Sequence, residues 1–147
     1  MLTNYWICIT DNKNWDVILN KCVWGVSERY IPLISEVEIG DKVLFYIKGG
    51  KVKGIFEAVS RIYKSKEKIF DSTYIYRKNE TFQNRINLKL ISMDILEVNI
   101  YDIIKKLKLI KDKKNWGSCF FRSMIKISIQ DYKLFEKKMR ISDKLLQ

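Results

Sequence analysis

The sequence predicts an α+β fold: a small, mostly antiparallel β-barrel or strongly curved sheet flanked by helices. Three observations lead there. Short runs rich in β-branched and aromatic residues recur along the chain, helix-period stripes are sparse, and Gly49-Gly50 stands between two strand-like runs as a hairpin turn does. The 147 residues, 47 % of them hydrophobic, can bury a core without disulfides or metals. No repeat or linker divides them, so residues 1–147 read as a single domain.

In chain order, Asn4 to Thr10 (NYWICIT) reads as a strand, and Asp11-Asn12 offers side-chain oxygens to the free amides of a helix that follows. In that helix Trp15, Ile18, Leu19 and Cys22 recur three and four apart, an apolar stripe for a core. Cys22 to Val26 (CVWGV) is too short and too β-branched to continue it, and Gly25 breaks it, which leaves a short strand or extended turn. Glu28 to Ile34 reads as one helical turn interrupted by Pro32. Ile39-Gly40-Asp41 then turns the chain into the strand Lys42 to Lys48, where Val43, Phe45 and Ile47 alternate with Leu44 and Tyr46.

Beyond the hairpin, Val52 to Tyr63 reads as the returning strand, with Gly54 marking a bulge or a close backbone approach. Lys64 to Asp71 is a charged loop ending in Ile69-Phe70, and an aromatic in a loop needs a core or a ligand to cover it. Further strands are expected at Thr73 to Arg77 and Asn84 to Ser92. Ile100 to Leu107 and Ser128 to Met139 read as amphipathic helices, the second capped by Ser128 and carrying Tyr132, Phe135 and Met139 on one stripe.

Composition narrows the chemistry. There is no histidine, which removes the usual general base and the commonest metal ligand. Cys8, Cys22 and Cys119 are an odd number at wide spacing, read as reduced and mostly buried thiols. The glycines fit neither phosphate-cradling pattern, so no cofactor is expected. The formal net charge is +11, yet residues 1–47 carry four basic and six acidic side chains, so the basic excess lies downstream. A basic surface gains affinity for phosphate by releasing counterions, which makes nucleic acid the leading partner; a lysine-rich background composition gives the same charge. Lys105 to Lys114, with six lysines in ten residues, is either a phosphate-tracking face or the wet side of a helix and loop. The amino terminus shows no signal-peptide pattern and no run is long and apolar enough to span a bilayer, so the expectation is a soluble, cytoplasmic protein with no membrane partner and a monomer by default.

Taken together, Tyr5-Trp6-Ile7-Cys8-Ile9-Thr10, Asn14-Trp15, Val23-Trp24-Gly25-Val26, Gly40-Asp41, Phe45-Tyr46, Gly54-Ile55, Ile69-Phe70, Tyr76-Arg77, Trp116 and Ile129-Gln130-Asp131-Tyr132 resemble, in order and spacing, the EVE domain family of the PUA-like superfamily, related to YTH domains. The resemblance implies a PUA-like β-barrel flanked by helices. It also implies a base-binding site: Trp24 matches a wall of the aromatic cage that YTH domains close around a methylated adenine, and Asn14 matches the residue that hydrogen-bonds the base. Thr10 falls near a second polar position, Phe70 looks like a further cage aromatic, and Tyr46 is the weaker counterpart. Two departures stand out. Gly25 replaces a small hydroxyl residue, so only its backbone can contribute, and Tyr74-Ile75-Tyr76-Arg77 lacks the proline common in EVE relatives. A cage of Trp and Phe leaves methylated cytosine or another modified base as defensible as methylated adenine.

Arg29, Arg77, Lys114 and Arg122 flank the matched segments and are the candidates for phosphate contacts. The leading expectation is a module, not itself an enzyme, that captures one base of single-stranded or flipped-base RNA or DNA. The alternative is a metal-dependent enzyme of nucleic-acid or nucleotide processing that uses carboxylates such as Asp71 in the same cleft. A nucleoside-binding pocket is a third possibility.

Overall fold

A computed structural model describes residues 2–72, 80–92 and 97–146, with side chains through Arg140. The opening strand β1, Tyr5–Thr10, runs straight into helix α1, Asn12–Lys21, where the Asp11 carboxylate accepts the Asn14 amide at 2.8 Å. Cys22 ends α1 in the left-handed conformation (φ 52°), its N–H donating to the Ile18 carbonyl, and the chain turns into β2, Val23–Val26. A 3-10 turn, Glu28–Tyr30, leads into the short α2, Ile31–Ile34. Pro32 opens this turn and does not interrupt it, because a first-turn N–H has no helical partner to lose.

Strands β3, Lys42–Ile47, and β4, Lys51–Ala58, form the expected hairpin, with Gly49 and Gly50 at φ 113° and 105°. Gly54 is both features its position suggested. The pairing slips between Leu44 and Phe45, Gly54 sits at φ 68°, and a Cβ there would lie 2.9 Å from Phe56 Cε2 and 3.2 Å from Trp15 Cη2. The return strand is shorter than the sequence indicates. After Ala58 the chain bends, with Val59 N–H donating to the Asn87 carbonyl, and resumes as a two-residue β5, Tyr63–Lys64. The strand expected at Thr73 to Arg77 lies outside the described residues.

Next come β6, Asn84–Ser92, β7, Val98–Asn99, β8, Met124–Ile127, and α3, Ile129–Leu146. The sheet order is β2-β6-β4-β3-β1-β8, with β5 on β6 and β7 on β4. Among the described residues only β1 and β3 pair in parallel. Side-chain alternation divides the core. Trp6, Cys8, Val43, Phe45 and Ile47 face Trp15 and Ile18 of α1, whereas Ile7, Ile9, Leu44 and Tyr46 face Phe135 and Met139 of α3. Burial on both faces explains the unbroken apolar runs of β1 and β3.

Asp41, 1 % exposed, fastens this layer by accepting from Asn4 N–H, Trp6 Nε1 and Glu38 N–H at 2.9–3.0 Å. Ile100 to Leu107 forms two 3-10 turns, Ile100–Asp102 and Ile104–Lys106, where a helix was expected. The stripe Ile100, Ile103, Ile104 and Leu107 is buried as its spacing implies. So short a segment, rich in β-branched residues and anchored by Ile100 N–H to the Gly50 carbonyl, does not recover the cost of nucleating an α-helix. Of the three free cysteines, Cys8 is buried and Cys22 and Cys119 are half-buried. Among the described residues no helix is long and apolar enough to cross a membrane.

Candidate functional site

A cavity of about 280 Å³ opens beside the C-terminal ends of β1 and β3, where α1 begins and β2 runs past. Of the residues singled out in the sequence, Thr10, Asn14, Trp24, Gly25, Phe70, Arg29 and Arg122 line it. Arg77 lies outside the described residues. Tyr46 is placed elsewhere: alternation along β3 turns Phe45 toward Trp24 and Tyr46 to the opposite face, where it stacks on Phe120 with centroids 4.0 Å apart and planes 4° from parallel. Lys114 is also absent from the lining. It sits in an exposed turn whose Asp112 carboxylate accepts from the Lys114 and Asn115 amides.

Trp24 and Phe70 meet edge to face, with centroids 6.4 Å apart and planes 72° from parallel, and they are only 5 % and 3 % exposed. They make a corner, not a parallel slot. Trp24 also abuts Phe45 at 5.5 Å, so the residue serves the core and the cavity together. Trp24 Nε1 and Ser27 Oγ, both on lining residues, are buried without a hydrogen-bond partner among the described residues. Gly25 is required by close packing, since a Cβ there would fall 2.5 Å from the Phe82 carbonyl oxygen and 3.0 Å from the Phe70 ring.

Asn14 does something its sequence position did not indicate. Its Nδ2 donates to the Asp71 carbonyl and its Oδ1 accepts from the Asp71 N–H, both at 2.8 Å, which clamps the loop bearing Phe70 onto α1. One amide N–H and one oxygen lone pair remain uncommitted by that clamp. The loop is held from its other side by Arg85, 1 % exposed. Its guanidinium donates to the carbonyls of Glu67, Thr81 and Phe82, and lies 5.4 Å from the Phe70 ring centre. Burial lowers the Arg85 pKa from its ordinary value.

The lining also includes Tyr30, Lys48, Phe82 and Phe121, which the sequence reading passed over. Phe121-Arg122 did carry a signal, an aromatic beside a cation outside any strand pattern. Lys48 follows β3 at the start of the Gly49-Gly50 turn, and its role depends on where that turn points. Arg29, Lys48 and Arg122 bring positive charge to the cavity against two carboxylates, and both of these are engaged. Asp11 caps α1, and Asp71 pairs with Lys13 at 3.5 Å. Among the described residues no group of three Asp, Glu, Cys or His side chains is placed to hold a metal ion.

Residues 4–138 match the EVE domain family. A UPF0310 protein of Pyrococcus abyssi is 38 % identical, with 90 % of this chain and 97 % of the relative covered. One from Pyrococcus horikoshii is 37 % identical over the same shares. Among solved structures, the YTH domain of Zygosaccharomyces rouxii MRB1 protein in complex with N6-methyladenosine RNA superposes with a TM-score of 0.65 at 14 % identity, covering 94 % of this chain and 87 % of that one. A hypothetical protein from Leishmania major gives 0.65 at 18 %, covering 99 % and 98 %. Identities this low speak for the fold alone, and the fold they share is the curled mixed sheet with flanking helices described above. The chain therefore belongs to the EVE domain family and carries the PUA-like fold that its sequence implied.

Proposed function

We propose that this EVE domain is a nucleic-acid-binding module that takes one unstacked, methylated base into the Trp24–Phe70 corner. The observation that carries the reading is the cavity itself: aromatic walls, unsatisfied polar atoms on its lining residues, and the cations Arg29, Lys48 and Arg122 at the same place. An aromatic face stacks on a base whatever its sequence, for about 1–3 kcal/mol, and fixed cations beside it attract the backbone phosphates. The fold shared with a YTH domain bound to N6-methyladenosine RNA supports a base carrying a methyl group. A methyl entering a dry aromatic corner gains burial energy, and discrimination by one such group is about tenfold. The reading leaves methylated adenine, methylated cytosine and other modified bases as candidate ligands.

Intrinsic tryptophan fluorescence, titrated with short single strands carrying plain or methylated adenine or cytosine, tests the reading. Saturable binding is expected, stronger for one methylated base and weakened at least tenfold in Trp24→Ala and in Phe70→Leu, each first shown to be folded by circular dichroism. Phe70→Leu keeps the position apolar and removes fewer core atoms than truncation to alanine, so it weighs loss of the stacking face against a smaller loss of packing. Binding indifferent to both substitutions would return these rings to a purely structural role.

A further inference from the structure

A second cavity, of about 520 Å³, adjoins the first and is lined by Tyr46, Lys48, Gly49, Gly117, Phe120 and Phe121. Lys48 and Phe121 line both, so they form the boundary between the two. Phe121 is 86 % exposed, although its backbone is held on each side. Its N–H donates to the Ser118 carbonyl, the preceding Phe120 is stacked flat on Tyr46, and two residues on the Ser123 carbonyl accepts from Ile9 N–H at 2.9 Å. Single exposed apolar side chains are ordinary on protein surfaces. This one differs by its place: a ring on a fixed backbone, between two cavities, with Lys48 beside it and Arg122 next in the chain.

We propose that Phe121 is a stacking platform for the nucleotide adjoining the captured base, and that the cavity against the Tyr46–Phe120 stack receives that neighbour. The inference rests on the base-binding reading of the first cavity and narrows its ligand to a single strand of two or more nucleotides, which excludes a free nucleoside as the full ligand. Charge complementarity favours this occupant over an apolar one. A strand crossing from one cavity to the other must carry a phosphate past their shared boundary, and Lys48 stands on it. An exposed ring costs little to hold ready, because its backbone is already ordered before the ligand arrives.

The test compares a methylated nucleoside monophosphate with a trinucleotide carrying the same nucleotide at its centre and 2-aminopurine on one flank or the other, in ribose and deoxyribose forms. For the wild type the trinucleotide binds more tightly, and 2-aminopurine fluorescence on one flank is quenched by stacking. In Phe121→Ala the trinucleotide's advantage over the monophosphate is expected to shrink about fivefold or more, with the quench lost, and Phe121→Trp to restore both. An undiminished advantage in Phe121→Ala, or no quench on either flank, overturns the platform. The first cavity then still stands on its own result, since monophosphate binding and its loss in Phe70→Leu report on it separately. Failure of the wild type to bind either ligand overturns both.

Discussion

Asn14 illustrates how one side chain links the start of α1 to a loop 57 residues away. Removing it in Asn14→Ala leaves the Asp71 N–H and carbonyl without their partner, and the expected cost is about 1–2 kcal/mol in urea denaturation. Base affinity is expected to fall as well, because Phe70 loses its anchor. Asn14→Asp should not rescue it: the carboxylate still accepts from Asp71 N–H but meets the Asp71 carbonyl with no proton to offer. A stability equal to wild type in Asn14→Ala would show that the clamp carries no weight. Trp24 and Phe70 were conspicuous in the sequence as aromatics in a short segment and a loop, off any helical core stripe, whereas Asn14 was picked out only by the family resemblance. Their directions could not. Whether the Asn14 amide points at a ligand or at Asp71 depends on a loop whose path no local pattern encodes.

The loop from Lys64 to Asp71 has little regular structure and is ordered by its neighbours, above all by Arg85 on β6. Arg85 was invisible as a site residue because a cation in a basic chain reads as surface, whereas pairing of β6 with β2 and β5 turns it inward. Arg85→Lys keeps the charge but loses the planar fork that reaches the Glu67, Thr81 and Phe82 carbonyls together. It is expected to destabilise by about 1–3 kcal/mol and to weaken base binding without any change in the cavity's own side chains. Thermal unfolding and the fluorescence titration check the two halves of that outcome. The stretch Ile100 to Leu107 teaches the complementary lesson. Its burial stripe was legible because side chains three and four apart share a face in an α-helix and nearly so in successive 3-10 turns, and for that reason the stripe did not decide between them.

At the scale of the whole molecule, the curved mixed sheet was legible from the density of strand-like runs and the Gly49-Gly50 turn, while the parallel pairing of β1 with β3 was not. Nothing local distinguishes a strand that will pair with its neighbour from one that will wait for a later partner. Charge acts on this scale too. If Arg29 and Arg122 neutralise phosphates beside the cavity, neutralising both in Arg29→Gln/Arg122→Gln should flatten the slope of log affinity against log salt by about 1.4, at about 0.7 per contact for a single strand. An unchanged slope measured between low and physiological salt would place the strand elsewhere. The walls of the cavity come from Thr10, Trp24, Phe70 and Arg122, segments spread over most of the chain and joined in part by the long-range pairings of β1 with β3 and β8. A cavity assembled from segments so distant in sequence has no counterpart in the unfolded chain, so a ligand that recognises it binds the folded state and by mass action draws the folding equilibrium forward.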